Sequence, residues 1–267
     1  KNKRAMIALV IFLIIALMAI FGPMISPYSY DGMDTAIMNQ RPSAAHWFGT
    51  DRFGRDLFTR VLYGARISLM VGIVTAVINT IIGVIYGGIA GYVGGRVDMW
   101  MMRLTDILYS IPELLYIILI MLIFGSNVRS IIIGVCVAGW ISMARMVRSQ
   151  IITLKEQEFA LAAFVLGANS RRILFKHLIV NSLGTIIVTV TLMIPQAIFM
   201  EAFLSFVGVG ISAPMASLGT LAQDARTYLE IFPYQMMFPV AAICVTIFSL
   251  NFIGEGLNSA LNPKGKR

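Results

Sequence analysis

The stretch from Glu156 to Asn181 reads EQEFALAAFVLGANSRRILFKHLIVN and separates two long apolar blocks of the chain. It is too rich in charge to be a membrane span. Its ionisable side chains are Glu156, Glu158, Arg171, Arg172, Lys176 and His177. We interpret residues 156–181 as a segment presented at a membrane surface and name it the docking stretch.

The docking stretch predicts two short helices joined by a glycine turn. The apolar residues at helical spacing in its first half are Phe159, Ala162, Ala163 and Leu166. Gly167 can adopt the left-handed conformation that ends a helix, and Asn169 or Ser170 can cap the next one. In that second helix the residues expected on one face are Ile173, His177 and Val180. The spacing alone leaves two alternatives open: close approach of another chain at the small alanines, or an interfacial helix lying on anionic lipid.

Bulk composition indicates an integral membrane protein made of helices. Of 267 residues, 58% are hydrophobic and only 13% are charged, whereas a soluble domain has about 25% charged residues. The net charge of +8 does not indicate nucleic-acid binding, because the basic residues cluster at the ends of apolar blocks. Cys136 and Cys244 lie inside such blocks and are interpreted as buried thiols.

The apolar blocks predict six membrane spans with both termini in the cytoplasm. The expected spans are 5–25, 67–93, 100–124, 130–146, 183–207 and 234–253, with a polar external cap at 208–233 that dips toward the bilayer. The predicted organisation is an N-terminal transmembrane helix (1–25), an external loop (26–66), a five-helix core (67–258) that includes a cytoplasmic loop (149–182), and a cytoplasmic tail (259–267). Most Lys and Arg residues fall in the predicted inner segments, as the positive-inside tendency requires.

A row of glycines in the second predicted span favours close helix contact. Gly83, Gly87, Gly91 and Gly95 recur at every fourth position and leave bare backbone on one side of the helix. The row could pack within this chain or against a second membrane subunit.

Three acids inside predicted spans are candidates for a transport pathway. Asp106 and Glu113 are seven residues apart and therefore share a face if the third span is one helix. They could line a polar route, or form structural ion pairs with Arg103 or a neighbouring helix. Glu201 follows Pro195 in the fifth span, where a bent helix could form a moving wall or Glu201 could only fix packing.

The external segment contains Gly49-Thr-Asp51-Arg-Phe-Gly54-Arg55-Asp56. Taken alone, this motif could suggest a metal or phosphate loop, but glycines that form turns explain it adequately. The aspartates expected to neutralise the arginines of a packed, ion-paired loop are Asp31, Asp34, Asp51 and Asp56.

The sequence contains no GxxxxGK[ST] loop, no cluster with metal-ligand spacing and no nucleophile beside a base. We therefore expect no catalytic residue, no metal and no cofactor in this chain. His46 and His177 are expected on opposite sides of the membrane. Three hypotheses remain: a transport subunit moved by separate ATPases, a self-sufficient carrier using Asp106, Glu113 and Glu201 as an ion relay, or a membrane scaffold that recruits a soluble partner.

The docking stretch resembles the cytoplasmic EAA loop of permease subunits in ABC importers, particularly the dipeptide, oligopeptide and nickel branch. The matching residues are Glu158, Ala162, Ala163, Gly167, Ile173, His177 and Asn181, with Val180 where that family usually has Pro. The 49–56 motif is similar to another signature of the branch, with Trp47 in place of the usual Pro and Thr59 in place of Ser. The stretches 201–208 and 251–263 are also similar to the family.

This resemblance implies an all-α polytopic membrane protein with six transmembrane helices, the type I ABC importer permease fold, and a cytoplasmic coupling helix. The residues it assigns to ATPase coupling are Glu158, Ala162, Ala163, Gly167, Ala168, Arg171, Arg172 and His177. The residues it places toward an external substrate-binding protein are Gly49, Asp51, Gly54, Arg55 and Asp56.

The implied partners are a second, homologous permease subunit, two ATPase subunits that bind ATP and Mg²⁺, the external binding protein, and membrane lipid. The implied substrate is a dipeptide or oligopeptide, with nickel or another small solute as the alternative. The implied location is the cell membrane.

Overall fold

The computed structural model describes residues 2–261, and the predicted tail residues 262–267 lie outside that range. Within the described residues the chain forms eleven α-helices: α1 (Lys3–Ile25), α2 (Leu57–Val93), α3 (Gly95–Tyr109), α4 (Glu113–Phe124), α5 (Val128–Ala138), α6 (Trp140–Lys155), α7 (Glu158–Val165), α8 (Ser170–Arg172), α9 (Ile179–Val207), α10 (Leu218–Arg226) and α11 (Pro233–Leu261). A π-helix, Ile173–Leu178, joins α8 to α9 without a break.

The prediction of six membrane spans is confirmed. Five continuous segments are long and apolar enough to cross a bilayer, and they are Lys3–Ile25, Leu57–Val93, Val128–Lys155, Ser170–Val207 and Pro233–Leu261. The sixth is the pair α3 and α4, which passes the same test when taken together but is bent by 74°. The long helix α2 lies at the centre, where it contacts α1, α3, α5, α6, α9, α10 and α11.

The second span begins ten residues before the predicted start, so the expectation of a poorly helical segment up to residue 66 was wrong. Asp56 caps α2: its Oδ2 accepts hydrogen bonds from the backbone N–H and the hydroxyl of Thr59, both at 2.8 Å. This local capping starts the helix at Leu57. The buried Arg60 is then the first charged side chain of a helix rather than part of a loop.

The glycine row of α2 packs within this chain. A Cβ at Gly83 would lie 2.6 Å from Met143 Cβ, and a Cβ at Gly91 would lie 2.7 Å from the Arg148 carbonyl oxygen. Gly87 faces the backbone of Ala144 even more closely. Gly95 does not belong to this contact, because it begins α3 and a Cβ at its position would have nothing within 4 Å. The row therefore brings α2 against α6.

The third span is broken where one continuous helix was expected. Pro112 precedes α4 in an extended conformation, with φ −54° and ψ 129°. Proline lacks an N–H and disfavours helical geometry in the residue before it, so the helix ends at Tyr109 and a new one begins at Glu113. Asp106 and Glu113 consequently lie on different helices, and the prediction that they share one face was wrong.

The other spans run longer than predicted. The helix of the fourth span reaches Lys155, and the last helix extends from Pro233 to Leu261, so the first residues of the predicted tail are helical. The fifth span does not begin at residue 183, because helical structure is continuous from Ser170 to Val207. The predicted cap at 208–233 contains the helix α10, which packs against α2, α9 and α11.

We expect Gly87→Ala to destabilise the protein and Gly88→Ala to have little effect. A Cβ at position 87 would lie 2.8 Å from the carbonyl carbon and 2.9 Å from the Cα of Ala144, both backbone atoms, so the α2–α6 contact must open. At position 88 the nearest atoms are side-chain methyl groups at 3.6 Å, which is ordinary contact. Overpacking of this kind costs about 1–3 kcal/mol. Thermal unfolding of the two purified variants in detergent tests this, and equal midpoints would contradict the proposed contact.

Candidate functional site

The turn of the docking stretch adopts the conformation that the sequence predicts. Gly167 has a φ of +82°, in the left-handed region that favours glycine. Asn169 provides the cap of the following helix, because its side-chain oxygen accepts a hydrogen bond from the Arg172 N–H at 2.8 Å. The Ala168 N–H donates to the Ala163 carbonyl at 3.0 Å and closes the end of α7. The result is a hydrogen-bonded turn between α7 and α8, and we name residues 158–172 the bracket.

The inner side of this bracket is anchored in the membrane-spanning helices. Ala163 is only 9% exposed and Ala160 only 4%. Together with Ile173, Leu174 and Leu178, they belong to a core cluster that includes Met143, Val147 and Ile151 of α6 and Ile186 and Met193 of α9. The docking stretch therefore packs directly against α6 and α9.

The outer side of the bracket is an apolar surface that the sequence pattern did not predict. The exposed fractions are 55% for Leu161, 70% for Phe164, 83% for Val165 and 86% for Leu166. The predicted apolar face was wrong, because Ala163 points into the core while Ala162 and Leu166 are exposed. The signal that could have shown this is that α7 is apolar on every side, as expected of a helix buried only after assembly. We name Leu161, Phe164, Val165 and Leu166 the docking patch.

Basic side chains flank the docking patch. Arg171, Arg172 and Lys176 are exposed, and Glu158 is exposed at the first position of α7. The predicted common face of the second helix was wrong, because Ile173 is buried while Val180 is 51% exposed. The π-helix between them has a wider turn than an α-helix, so residues at α-helical spacing diverge. His177 is partly buried, and its carbonyl accepts a hydrogen bond from Asn181 Nδ2 at 2.7 Å.

Asp106 forms an ion pair with a neighbouring helix. Its carboxylate lies 2.9 Å from Arg145 Nη2 of α6, and the Arg145 guanidinium lies 4.7 Å from the ring centroid of Tyr109. Asp98 pairs with Arg148 in the same way, one turn further along α6, with a hydrogen bond of 2.5 Å from Nη2. The structure thus supports the alternative in which Asp106 forms a structural ion pair. Its partner is Arg145 of α6 and not Arg103. Glu113 is not brought to Asp106.

Glu201 joins three helices at a fully buried point. It is 0% exposed, and its two carboxylate oxygens accept hydrogen bonds from Ser68 of α2 at 2.6 Å and Ser205 of α9 at 2.8 Å. The Ser68 hydroxyl also accepts from the Leu218 N–H of α10 at 3.4 Å. Pro195 is buried inside α9, six residues before Glu201. This arrangement agrees with the alternative in which Glu201 only fixes the packing of the helices. A pathway role for Pro195 and Glu201 stays a prediction.

The 49–56 motif folds as a set of turns closed by ion pairs. Gly49 and Gly54 have φ values of +80° and +72°, and a Cβ at Gly54 would collide with the backbone of Asp34. The Asp51 carboxylate accepts from Arg55 Nε at 2.6 Å, and Asp56 contacts His46 Nδ1 at 2.9 Å. These contacts support glycines acting as turn formers. Within residues 2–261 no group of three or more His, Cys, Asp or Glu side chains could hold a metal ion.

One acid in this region was missed by the sequence analysis. Asp224 of α10 lies 3.7 Å from Arg55 and 3.8 Å from Arg60, and 4.0 Å from Arg52. Of the predicted aspartates, Asp51 pairs with Arg55 and Arg60, Asp56 contacts the ring of His46, and Asp34 caps a short 3₁₀ turn. Asp224 is distant in sequence, so spacing carried no signal for it.

Comparisons with known proteins match almost the whole chain. Residues 83–267 match the family model described as binding-protein-dependent transport system inner membrane component, and residues 1–42 match the N-terminal TM domain of oligopeptide transport permease C. The chain is 49% identical over 264 residues to the oligopeptide transport system permease protein OppC of Bacillus subtilis, covering 99% of this chain and 87% of that protein.

Two further relatives are similar at comparable levels. The chain is 48% identical over 268 residues to the dipeptide transport system permease protein DppC of Bacillus subtilis, covering 100% of this chain and 84% of that protein. It is 45% identical over 267 residues to the oligopeptide transport system permease protein OppC of Escherichia coli, covering 99% of this chain and 88% of that protein.

We expect Glu201→Ala to destabilise the protein much more than Glu230→Ala. Removing the buried carboxylate leaves the hydroxyls of Ser68 and Ser205 without their acceptor, at a cost of about 1–3 kcal/mol for each buried group. Glu230 is exposed near the same end of the molecule, where such a change costs within about 0.5 kcal/mol. Glu201→Gln should fall between them. Similar thermal midpoints for the two alanine variants would contradict the conclusion that the hydrogen bonds of Glu201 stabilise the contact between α2 and α9.

Proposed function

The chain belongs to the family of binding-protein-dependent transport system inner membrane components, and from that premise we propose how it works as the permease subunit of a peptide ABC importer. It is a multi-pass protein of the inner membrane and is not itself catalytic. It forms half of an alternating-access pathway, and the other half comes from a second, homologous permease subunit. An external binding protein delivers the peptide.

The observation that carries this proposal is the docking patch. Val165 and Leu166 are 83% and 86% exposed at the tip of a bracket whose inner side is packed against α6 and α9. A contiguous exposed apolar patch is typical of a protein interface, and a lipid-facing position does not suit a patch that the exposed Arg171 and Arg172 follow closely in the chain. We infer that an ATPase subunit binds this patch from the cytoplasm. One ATPase then serves each permease subunit.

In this proposal ATP and Mg²⁺ bind to the ATPase subunits, and the permease responds to their movement. A nucleotide state that binds one arrangement of the bracket more tightly shifts the permease toward that arrangement. Because the bracket is anchored in α6 and α9, the shift reaches the membrane-spanning helices. The docking stretch is placed in the cytoplasm together with both termini, in accord with the basic residues of the inner segments.

The ion-relay alternative has little support in the geometry. Asp106 is neutralised by Arg145, and Glu201 is fully enclosed by Ser68 and Ser205. Asp106 and Glu113 lie on different helices. A relay needs acids that exchange protons along a connected route, whereas Asp106 and Glu201 are tied to separate structural contacts and Glu113 lies on a different helix from both.

We expect the double variant Val165→Asp, Leu166→Asp to lose peptide uptake. Charges in the docking patch would be buried without partners at the ATPase interface, and a hot spot of about 2 kcal/mol or more corresponds to a loss of more than tenfold. Membrane insertion and thermal stability should be unchanged, because both side chains are exposed in this chain. Leu166→Met keeps the apolar surface and is the control. ATP-driven uptake and copurification of the ATPase measure the effect, and undiminished uptake would count against the proposal.

Substitutions at Gly167 should reduce uptake to an extent that increases in the order Asn, Ala, Val. Nothing lies within 4 Å of a Cβ at this position, so the cost comes only from the left-handed backbone, about 1–2 kcal/mol for a residue with a Cβ. Asn tolerates this conformation best, and a β-branched residue least. If the three variants transported equally, the conformation of the turn would be irrelevant to coupling.

A further inference from the structure

A polar cavity lies at the end of the molecule opposite the docking stretch. It has a volume of about 270 Å³ and is bordered by the start of α2, the segment 208–215 and α10. Its charged and amide-bearing lining residues are Arg55, Arg60, Gln223 and Asp224. The mechanism proposed above for the docking patch does not use this cavity.

The two arginines of the cavity are buried and only partly satisfied. Arg55 is 4% exposed and Arg60 is 2% exposed. Arg55 Nε donates to Asp51 Oδ2 at 2.6 Å, and Arg60 Nη1 donates to the Tyr30 carbonyl at 3.0 Å. Within residues 2–261, Arg60 Nε is buried and has no hydrogen-bond partner, although it lies 3.6 Å from Asp51 Oδ2 as an ion-pair contact. Buried guanidinium groups normally use more of their five donors, because an unpaired buried donor is costly.

Asp224 compensates charge in the cavity without forming close hydrogen bonds. Its Oδ2 lies 3.7 Å from Arg55 Nη2 and 3.8 Å from Arg60 Nη2, and its Oδ1 lies 4.0 Å from Arg52 Nη2. All three distances exceed those of a direct hydrogen bond. Asp51, by contrast, is fully engaged, because it also accepts from the N–H groups of Phe53 and Arg55 at 2.8 and 3.0 Å. Arg55 and Arg60 therefore line the cavity with guanidinium nitrogens that Asp224 does not satisfy at hydrogen-bond distance.

We propose that this cavity binds a carboxylate, namely the C-terminal carboxylate of the peptide being transported. A planar guanidinium binds a carboxylate with two parallel hydrogen bonds, which matches the donors that Asp224 leaves unused. The cavity is smaller than the range of about 300–1,000 Å³ that encloses a drug-sized ligand, so it holds one end of a peptide and not a whole oligopeptide. The proposal rests on the function proposed above.

The terminal carboxylate is favoured because it is independent of peptide length and sequence. The relatives of this chain are named for oligopeptides and for dipeptides, and the charged terminus is common to both. An acidic side chain of the external binding protein offers the same chemistry, so the experiment must separate these two sources.

The test changes the charge of the cavity in both directions with isosteric variants. Gln223→Glu adds a negative charge to the wall, and Asp224→Asn removes one. Thr227→Glu adds the same charge at an exposed position of the next helical turn that does not line the cavity, and it is the control. Each variant is assembled with the second permease, the ATPases and the binding protein in liposomes. The kcat/KM of ATP-driven uptake is measured for trialanine and for trialanine amide.

We expect Gln223→Glu to lower the ratio of acid to amide uptake about tenfold, since a hydrogen bond to a charged group is worth at least about 1.5 kcal/mol. Asp224→Asn should raise this ratio, and Thr227→Glu should leave it unchanged. Because the binding protein is the same in every measurement, its own preference for the acid cancels when variants are compared with the parent. If Asp224→Asn does not assemble, Gln223→Glu and its control decide the question.

Two results would overturn the proposal. The first is an equal change in uptake of acid and amide in Gln223→Glu, or no change in either, which would mean that the peptide carboxylate does not reach the cavity. The second is weaker docking of the ligand-free binding protein to Gln223→Glu, which would assign the cavity to an acidic group of that protein. Failure of the proposed function is a separate outcome, because the unsubstituted complex would then take up neither peptide.

Discussion

The close contact between α2 and α6 is the constraint on which the rest of the structure depends. Apolar side chains gain nothing by leaving lipid for one another, so helices in a membrane associate where small residues allow backbones to touch. Gly83, Gly87 and Gly91 provide that approach against Met143, Ala144 and Arg148. With α6 fixed along one side, α2 can serve as the axis around which α1, α5, α9, α10 and α11 pack.

Polar contacts then determine how the other elements are placed around this axis. Asp98 and Asp106 of α3 bind Arg148 and Arg145 of α6, which holds α3 across the end of the α2–α6 pair. At the other end, Glu201 binds Ser68 and Ser205 and so fixes α9 to α2. An unpaired acid inside a membrane protein costs free energy. Asp98, Asp106 and Glu201 each have a partner on another helix or in another turn of the same helix. The positions of Asp106 and Glu201 in the sequence suggested a pathway, whereas the structure shows each of them in contact with a neighbouring side chain.

The sequence was sufficient to predict the structural features that depend on composition or on a single residue. It was insufficient for the features that depend on contacts between residues distant in the chain. Long apolar runs predicted the spans, and Gly167 predicted the turn, because only backbone freedom was required there. Pro112 by itself indicates a break in the third span. The long apolar run around it nevertheless favoured the prediction of one continuous helix. The start of α2 was missed because Arg60 reads as a loop residue until its partners Asp51 and Asp224 are known. The exposed docking patch was missed because α7 is apolar on every side, so the spacing did not show which residues are buried. The face of the following helix was missed because the π-helix breaks the α-helical spacing.

The buried clusters at the two ends of the molecule are distinct, and both include residues of α2 and α9. The cluster beneath the docking stretch takes Ile186 and Met193 from α9, whereas the clusters near the cavity take Ile198 and Leu204. The boundary falls at Ile194, which packs against both sides, and Pro195 follows it directly. α2 crosses the same boundary without a proline and is held against α6 by its glycines. If the docking end moves relative to the cavity end, α9 bends most easily at Pro195, because its hydrogen-bond ladder is already interrupted there.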